Sequence, residues 1–352
     1  MSLDDPNIYP LIDPQNMRAE IDGLPGQLVN AWQFGQTQFL PTVENISNVV
    51  IAGMGCSATG AELLAAYAEP VSSIPIHVHN DYGLPAWAQG PETLVLFSSY
   101  SGETEEVLSA FEQATEKACT RIVMATGGKL ADAGRESGAD VWQFEHPAPQ
   151  RAALGYAFGL PLAILSRLGL VPDPKDEINE AVAAMRAQQV HLQVEVPAVQ
   201  NPAKRYAGQL MGRWVVFLGA EFLIPVARRW KVQVNELAKA WAQAETLPEA
   251  DHNVLAGLAA PEELYSRTMT IFLNAPACHP RNTLRSDLTR KAFMLEGVPT
   301  DFYLAQGETR LAQQWTALHF GDYMAYYLAT AYGLDPTPVP MIEQFKAEME
   351  MF

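Results

Sequence analysis

Cysteine is scarce in this chain. Cys56, Cys119 and Cys278 are three among 352 residues, odd in number and far apart. They argue against a disulfide framework, offer no thiolate cluster for zinc, and suit a reducing cytoplasm. No apolar run reaches bilayer-spanning length, and Met1-Ser-Leu-Asp-Asp5 lacks the basic-then-apolar pattern of a secretory signal. Positive charge is also in short supply: 23 Lys and Arg face 40 Asp and Glu, for a net charge of −17 and a pI near 4.8. A surface of that sign repels nucleic acid, and no Lys/Arg tract offers a footprint for its backbone. The same field repels small anions at a distance. An anion site in this chain must therefore rely on local donors and helix N-termini.

What is present describes a folded protein, 48% apolar and 18% charged, long enough for two domains with substantial cores. The most informative stretch runs from Leu94 to Leu108. It opens as an unbroken apolar run, the pattern of a strand buried on both faces of a parallel sheet. It then breaks into Ser98, Ser99, Ser101, Gly102 and Thr104, after which Val107, Phe111 and Ala114 resume at helical spacing. Such a turn lies at the carboxyl edge of a sheet, where α/β proteins bind ligands. Free N–H groups at the helix start, several hydroxyls, and Gly102 for close approach suit a phosphate. An ordinary N-cap would need only one hydroxyl.

A second turn of this kind precedes it. Asn48–Gly53 reads as a short strand, Gly53-Met-Gly-Cys-Ser57 as a glycine-rich turn, and Ala61, Leu64, Ala65 and Ala68 as a helix. Gly53, Gly55 and Ala58 satisfy G-x-G-x-x-A, so a dinucleotide site is one reading. The acidic residue that should hold the ribose is then Asp81, somewhat late after the strand Ile74–His79. A phosphomonoester needs only the turn, the Ser57 hydroxyl, the Gly55 backbone and the helix N-terminus. The second hydroxyl loop favours that reading.

The remaining pattern alternates. A helix is expected over Met17–Phe34, strands over Thr120–Thr126 and Asp140–Phe144, and helices over Lys129–Ser137 and Ala152–Leu168. Arg151 stands at the start of the last, as a solvated cation or one placed for an anion. Val171–Asp176 reads as a linker and Glu177–Val194 as a connecting helix. Trp214–Glu221 then echoes Val49–Gly53, which suggests two related α/β halves. A helix over Ile224–Ala242 carries Glu236 and Lys239, spaced as a surface ion pair. His252 follows in a polar turn, by itself an exposed or structural histidine. Strands over Met269–Leu273 and Asp301–Leu304, with helices over Leu284–Leu295 and Gln313–Tyr332, complete the doubly wound α/β pattern.

Taken together, Gly53-Met-Gly-Cys-Ser57, Ser99-Tyr-Ser-Gly-Glu-Thr104, Pro149-Gln-Arg-Ala-Ala-Leu-Gly155, Asn235-Glu-Leu-Ala-Lys239 and Asp251-His-Asn253 resemble the bifunctional phosphoglucose/phosphomannose isomerases, of the sugar isomerase (SIS) superfamily. Gly321-Asp-Tyr-Met-Ala-Tyr-Tyr327, Asp335-Pro-Thr-Pro-Val339 and Ile342-Glu-Gln-Phe-Lys346 extend the match to nearly the whole chain. The resemblance implies two SIS domains, each a parallel sheet sandwiched between helices. Their expected extents are 1–170 with the helical lead, a linker helix over 171–200, and 201–352 with the C-terminal helix. It also implies a homodimer with active sites between subunits, sugar-phosphate substrates, and no metal or other cofactor.

By the same resemblance, Ser57, Ser99, Ser101 and Thr104 hold the substrate phosphate, with Gly55 and Gly102 admitting it to the backbone. Glu236 matches the catalytic base and Arg151 the cation beside the enediolate. His252 matches the ring-opening group, and Lys346 a further active-site lysine. The types suit the chemistry. One carboxylate carries a proton between C1 and C2, an arginine that never deprotonates faces the anionic intermediate, and an imidazole titrates in the range needed at the ring oxygen. Two positions depart from the family pattern: Cys56 stands where a small Gly is usual, and Glu103 where Asn is common. The rival readings are a phosphosugar-binding SIS protein without turnover and an oxidoreductase using a nicotinamide dinucleotide.

Overall fold

Apolar strands alternate with helices that carry one apolar side, and the chain assembles them into two parallel sheets. The computed structural model of the protein describes residues 2–43, 45–349 and 351. Two helices lead, α1 (Tyr9–Ile12) and α2 (Met17–Thr37). The first sheet contains β1 (Asn48–Gly53), β2 (Ile76–His79), β3 (Thr93–Ser98), β4 (Thr120–Ala125) and β5 (Asp140–Gln143). Interleaved with them are α3 (Cys56–Ala68), α4 (Glu105–Glu116) and α5 (Gly128–Glu136). Helices α6 (Leu154–Arg167), α7 (Lys175–Gln189) and α8 (Pro202–Leu210) follow. The second sheet contains β6 (Trp214–Ala220), β7 (Ala242–Leu247), β8 (Thr268–Asn274) and β9 (Thr300–Leu304), interleaved with α9 (Ile224–Glu236) and α10 (Pro280–Leu295). Helices α11 (Arg310–Tyr332) and α12 (Pro340–Met349) close the chain.

Strand order is β2-β1-β3-β4-β5 in the first sheet and β7-β6-β8-β9 in the second, every neighbouring pair parallel. The first four strands of one sheet thus repeat the order of the other, with β6 in the place of β1. The echo between Trp214–Glu221 and Val49–Gly53 is one of topology.

By packing, the chain divides into two units, Gly23–Ala183 with Gly307–Ala312, and Met1–Asp22 with Ala184–Gln306 and Gln313–Phe352. The division differs from the sequence-based boundaries at the N-terminus and in the linker helix. Residues near the start pack in the second unit: the Tyr9 ring stacks on Tyr326 at 6.2 Å, and Lys204 Nζ donates to the Leu3 carbonyl at 2.7 Å. These contacts join segments that no local pattern relates.

In the first unit, Val50, Ala52, Val95, Phe97, Val123 and Ala125 share a core with Val107, Ala110 and Phe111 of α4. The alternate residues Val49, Ile51, Leu94, Leu96 and Ile122 are fully buried as well. Burial of both faces is what a helix-covered parallel sheet requires. In the second unit, α9 packs on β6 and β7, and α10 on β8 and β9. Trp230 of α9 donates its indole N–H to the Ala317 carbonyl of α11 at 2.8 Å. Arg229 makes a buried two-point pair with Asp322, Nε to Oδ1 at 3.1 Å and Nη2 to Oδ2 at 3.0 Å.

One helix is shorter than its pattern. The span expected to run to Ala242 ends at Glu236, Lys239 adopts φ +50°, and β7 begins at Ala242. Asn235 Nδ2 donates to the Ala240 carbonyl at 2.7 Å and closes the turn. The segment Ala-Gln-Ala-Glu-Thr-Leu carries little apolar alternation because β7 is an edge strand and needs less.

Candidate active site

In an open parallel sheet, ligands bind beyond the carboxyl ends of the strands where the winding reverses. In the order β2-β1-β3-β4-β5 that point lies between β1 and β3, and Gly53 pairs with Ser98 across it. The two turns singled out in the sequence therefore leave the sheet side by side, about 4.8 Å apart at their roots.

On the β1 side, Gly55 takes φ +52° and is the N-cap of α3, which starts at Cys56, so the cap residue has no side chain to offer. Ser57 lies in that turn and is buried. On the β3 side, Ser99 is buried and its hydroxyl is 2.8 Å from that of Thr104, the N-cap of α4. Thr104 makes no capping bond to its own helix. The Gly102 N–H lies 3.2 Å from both the Ser99 carbonyl and the Ser99 hydroxyl, and the Ser101 hydroxyl accepts from Glu103 N–H at 3.2 Å. Gly102 takes φ +69°, and a Cβ there would lie 1.9 Å from the Gly127 carbonyl oxygen. This position admits only glycine, and it locks the serine loop onto the turn after β4. The result is a cluster of hydroxyls beside two helix N-termini, the donor set that an anion requires.

The departure at Glu103 has a local role. Its Oε1 accepts the Lys129 N–H at 2.9 Å and its Oε2 pairs with Lys129 Nζ at 2.9 Å, so it caps the first turn of α5. The hydrogen bond from Lys129 holds the Glu103 carboxyl below its ordinary pKa, and the charge it adds is paired. Cys56 is half-buried at the first position of α3. Arg151 does not begin α6 as expected; it lies in a three-residue turn, Gln150–Ala152, ahead of α6 at Leu154. Ala153 and Leu154 are buried, which pins the start of the helix past this turn. The turn packs against α3, the helix that carries Ser57.

The other expected site residues belong to the second unit. Glu236 is the last residue of α9 and is half-buried. Lys239 Nζ donates to the carbonyls of Leu237, at 3.0 Å, and Asp335. His252 ends a four-residue 3-10 turn, Glu249–His252, and is exposed. Glu236 precedes β7 and His252 follows it, so they flank opposite ends of that strand. The six residues of β7 between them span about 20 Å. Lys346 lies on α12, a helix with no buried residue.

The second sheet has its own reversal point, between β6 and β8. No serine loop occurs there. Instead Glu221, at φ +53°, directs its Oε1 to the His279 N–H at 2.7 Å and to Asn282 Nδ2 at 2.7 Å, at the start of α10. The chain's own carboxylate thus meets the N-terminal donors of the helix that follows β8. His77 and His79 share one face of β2, ring centroids 6.2 Å apart, but no metal-binding group of three or more ligands occurs among the described residues. No described helix is long and apolar enough to cross a membrane.

Residues 199–349 match the bacterial phospho-glucose isomerase C-terminal SIS domain. A bifunctional phosphoglucose/phosphomannose isomerase of Caldicellulosiruptor bescii is 35% identical over 338 residues, 95% of this chain and 98% of that protein. The chain belongs to the bifunctional phosphoglucose/phosphomannose isomerase family. A member from Aquifex aeolicus is 30% identical over 303 residues, 86% of this chain and 90% of its own length. The fold is likewise that of a solved tagatose-6-phosphate ketose/aldose isomerase from Escherichia coli, with TM-score 0.67, 15% identity, and coverage of 91% of this chain and 94% of that one.

Within this family member, sequence reasoning missed two carboxylates that organise the loops. Glu221 carried no pattern, since its partners lie on α10. Asp251 was read only as a neighbour of His252. It accepts the Thr289 hydroxyl at 2.6 Å and pairs with Arg285 at 2.8 Å. The i,i+4 spacing of Arg285 and Thr289 on a helix was the available signal.

Proposed function

We propose that this protein interconverts fructose 6-phosphate with glucose 6-phosphate and mannose 6-phosphate by a cis-enediolate mechanism that uses no cofactor. The observation that carries the reading is the pair of hydroxyl- and glycine-bearing turns flanking the β1/β3 reversal. Ser57, Ser99, Ser101 and Thr104 bind the phosphoryl oxygens, and Gly55 and Gly102 let the backbone approach them.

With the phosphate held, the sugar is presented ring-closed. The His252 imidazole takes the proton of the anomeric hydroxyl as that oxygen becomes the C2 carbonyl. The C2–O5 bond breaks with its electron pair on O5, and the proton is returned there. Glu236 then removes a C1 proton from the open ketose, giving the enediolate; the O1 hydroxyl proton passes to O2, and Glu236 returns its proton to C2 as O1 becomes the aldose carbonyl. Return to either face of C2 gives glucose or mannose 6-phosphate. Arg151 lies against the enediolate oxygens, where its fixed charge stabilises the anion more than the neutral substrate. Lys346 contributes a second cation.

A homodimer with active sites between subunits is part of this reading. It is supported by the placement of Glu236 before and His252 after the six residues of β7, about 20 Å of strand. The scarcity of cysteine supports a cytoplasmic setting.

The test is a coupled assay of purified protein beside Glu236→Gln. The substitution keeps size and removes the base, and should lower kcat about a hundredfold to ten-thousandfold. Fructose 6-phosphate binding should persist. Equal turnover by both proteins would end the role of Glu236, and saturable binding without turnover by the native protein would favour a phosphosugar-binding protein.

A further inference from the structure

His252 is exposed in a turn of only four residues, and an isolated 3-10 turn has little stability of its own. Two features hold it. Ala250 is buried against Leu218, Ala220, Leu247 and Phe272. Asp251 reaches the other way, to α10, with both carboxylate oxygens engaged: Oδ1 by the Thr289 hydroxyl and Oδ2 by Arg285 Nη1. Its side chain is only 10% exposed, and Thr289 is buried. Arg285 and Thr289 are one helical turn apart, so the carboxylate is tied at two points to one face of a 16-residue helix. One bond would leave the turn free to swivel; two fix the plane of the carboxylate and with it the backbone of the next residue.

We propose that Asp251 is a positioning residue for His252, and that Arg285 and Thr289 set the direction in which the imidazole is presented to the ring oxygen. This rests on the ring-opening role given to His252 above. Asp251 does not touch the sugar. A loosened turn leaves phosphate binding and the proton transfer at C1–C2 intact and slows only the step that needs the imidazole, where small misplacements cost large factors.

A substrate that cannot close a ring separates these steps. In 5-deoxyfructose 6-phosphate the hydroxyl that attacks C2 is missing, so isomerisation needs Glu236 and not His252. Full-length Asp251→Ala, and separately the double variant Arg285→Met with Thr289→Val, should lose about ten- to a hundredfold in kcat on fructose 6-phosphate. Both should keep KM, and both should turn over the 5-deoxy substrate within about twofold of the native protein. Asp251→Asn, which still accepts from Thr289, should recover part of the loss. Equal loss on both substrates, or no loss on either, overturns the proposal. His252→Ala serves as the control. If it keeps native activity on fructose 6-phosphate, the reading of His252 fails. If it is selectively slow on that substrate while the Asp251 variants are not, only the present proposal fails.

Discussion

Glu236 and His252 stand at opposite ends of β7, one before its first residue and one after its last. A carboxylate that moves a proton at C1–C2 and an imidazole that opens the same ring must lie within one sugar's length of each other. A second copy of the chain can supply whichever is missing, and that arrangement has a direct signature. Glu236→Gln and His252→Ala should each be inactive on fructose 6-phosphate when purified alone. Co-expressed at equal amounts they form mixed dimers in which one site carries both changes and the other carries neither. About a quarter of native activity should return. Failure to recover activity from mixed dimers shown to be present by mass would rule out sites shared in this way.

The serine loop is set by backbone as much as by hydroxyls. Gly102 and Gly55 both have positive φ, but only Gly102 is crowded, by the Gly127 carbonyl at 1.9 Å from a built Cβ; nothing lies within 4 Å of one at Gly55. Alanine at Gly55, held at φ +52° and ψ −119°, should cost only the backbone strain, about 1–3 kcal/mol, whereas alanine at Gly102 must also move the loop. Gly102→Ala should therefore raise KM for fructose 6-phosphate about tenfold or more, while Gly55→Ala shifts it less. Steady-state kinetics on the two variants, with their melting temperatures, decides this. Equal effects would mean that the loop tolerates the displacement.

His319 makes stability depend on pH. It is fully buried on α11, its Nε2 lies 2.8 Å from the Ile21 carbonyl, and its Nδ1 has no hydrogen-bond partner. Burial lowers its pKa below the ordinary 6.5, against the pull of Asp322 and Asp22. The folded state thus prefers the neutral ring. Above the unfolded value the contribution is complete. As pH falls through 6.5 toward the depressed folded value, the unfolded chain takes a proton that the folded chain refuses, and stability is lost. The slope from one such proton is at most about 1.4 kcal/mol per pH unit. Denaturant unfolding between about pH 7.5 and about pH 5.5 should show a shallower decline in His319→Gln than in the native protein. Parallel curves would remove His319 as the source.

Much of this protein is decided locally. An apolar run such as Leu94–Phe97 has to be a strand covered on both faces, and a cluster such as Ser99, Ser101, Gly102 and Thr104 has to be its turn, because hydrogen bonding and burial act within a few residues of each other. The spacing of these signals, with the motifs around Arg151, Glu236 and His252, was enough to place the chain in its family. The edge strand β7 was not legible, since a strand with one neighbour needs little apolar pattern, and its absence from the reading hid the separation of Glu236 from His252. Tertiary structure alone decided which strands are neighbours, and so set Gly53 beside Ser98. It also brought Asp251 to Arg285 and Thr289, and Glu221 to the start of α10. Those partners are 34 to 61 residues apart in the chain, and pairings of that range are chosen by how whole helices pack on a sheet, which no local stretch encodes.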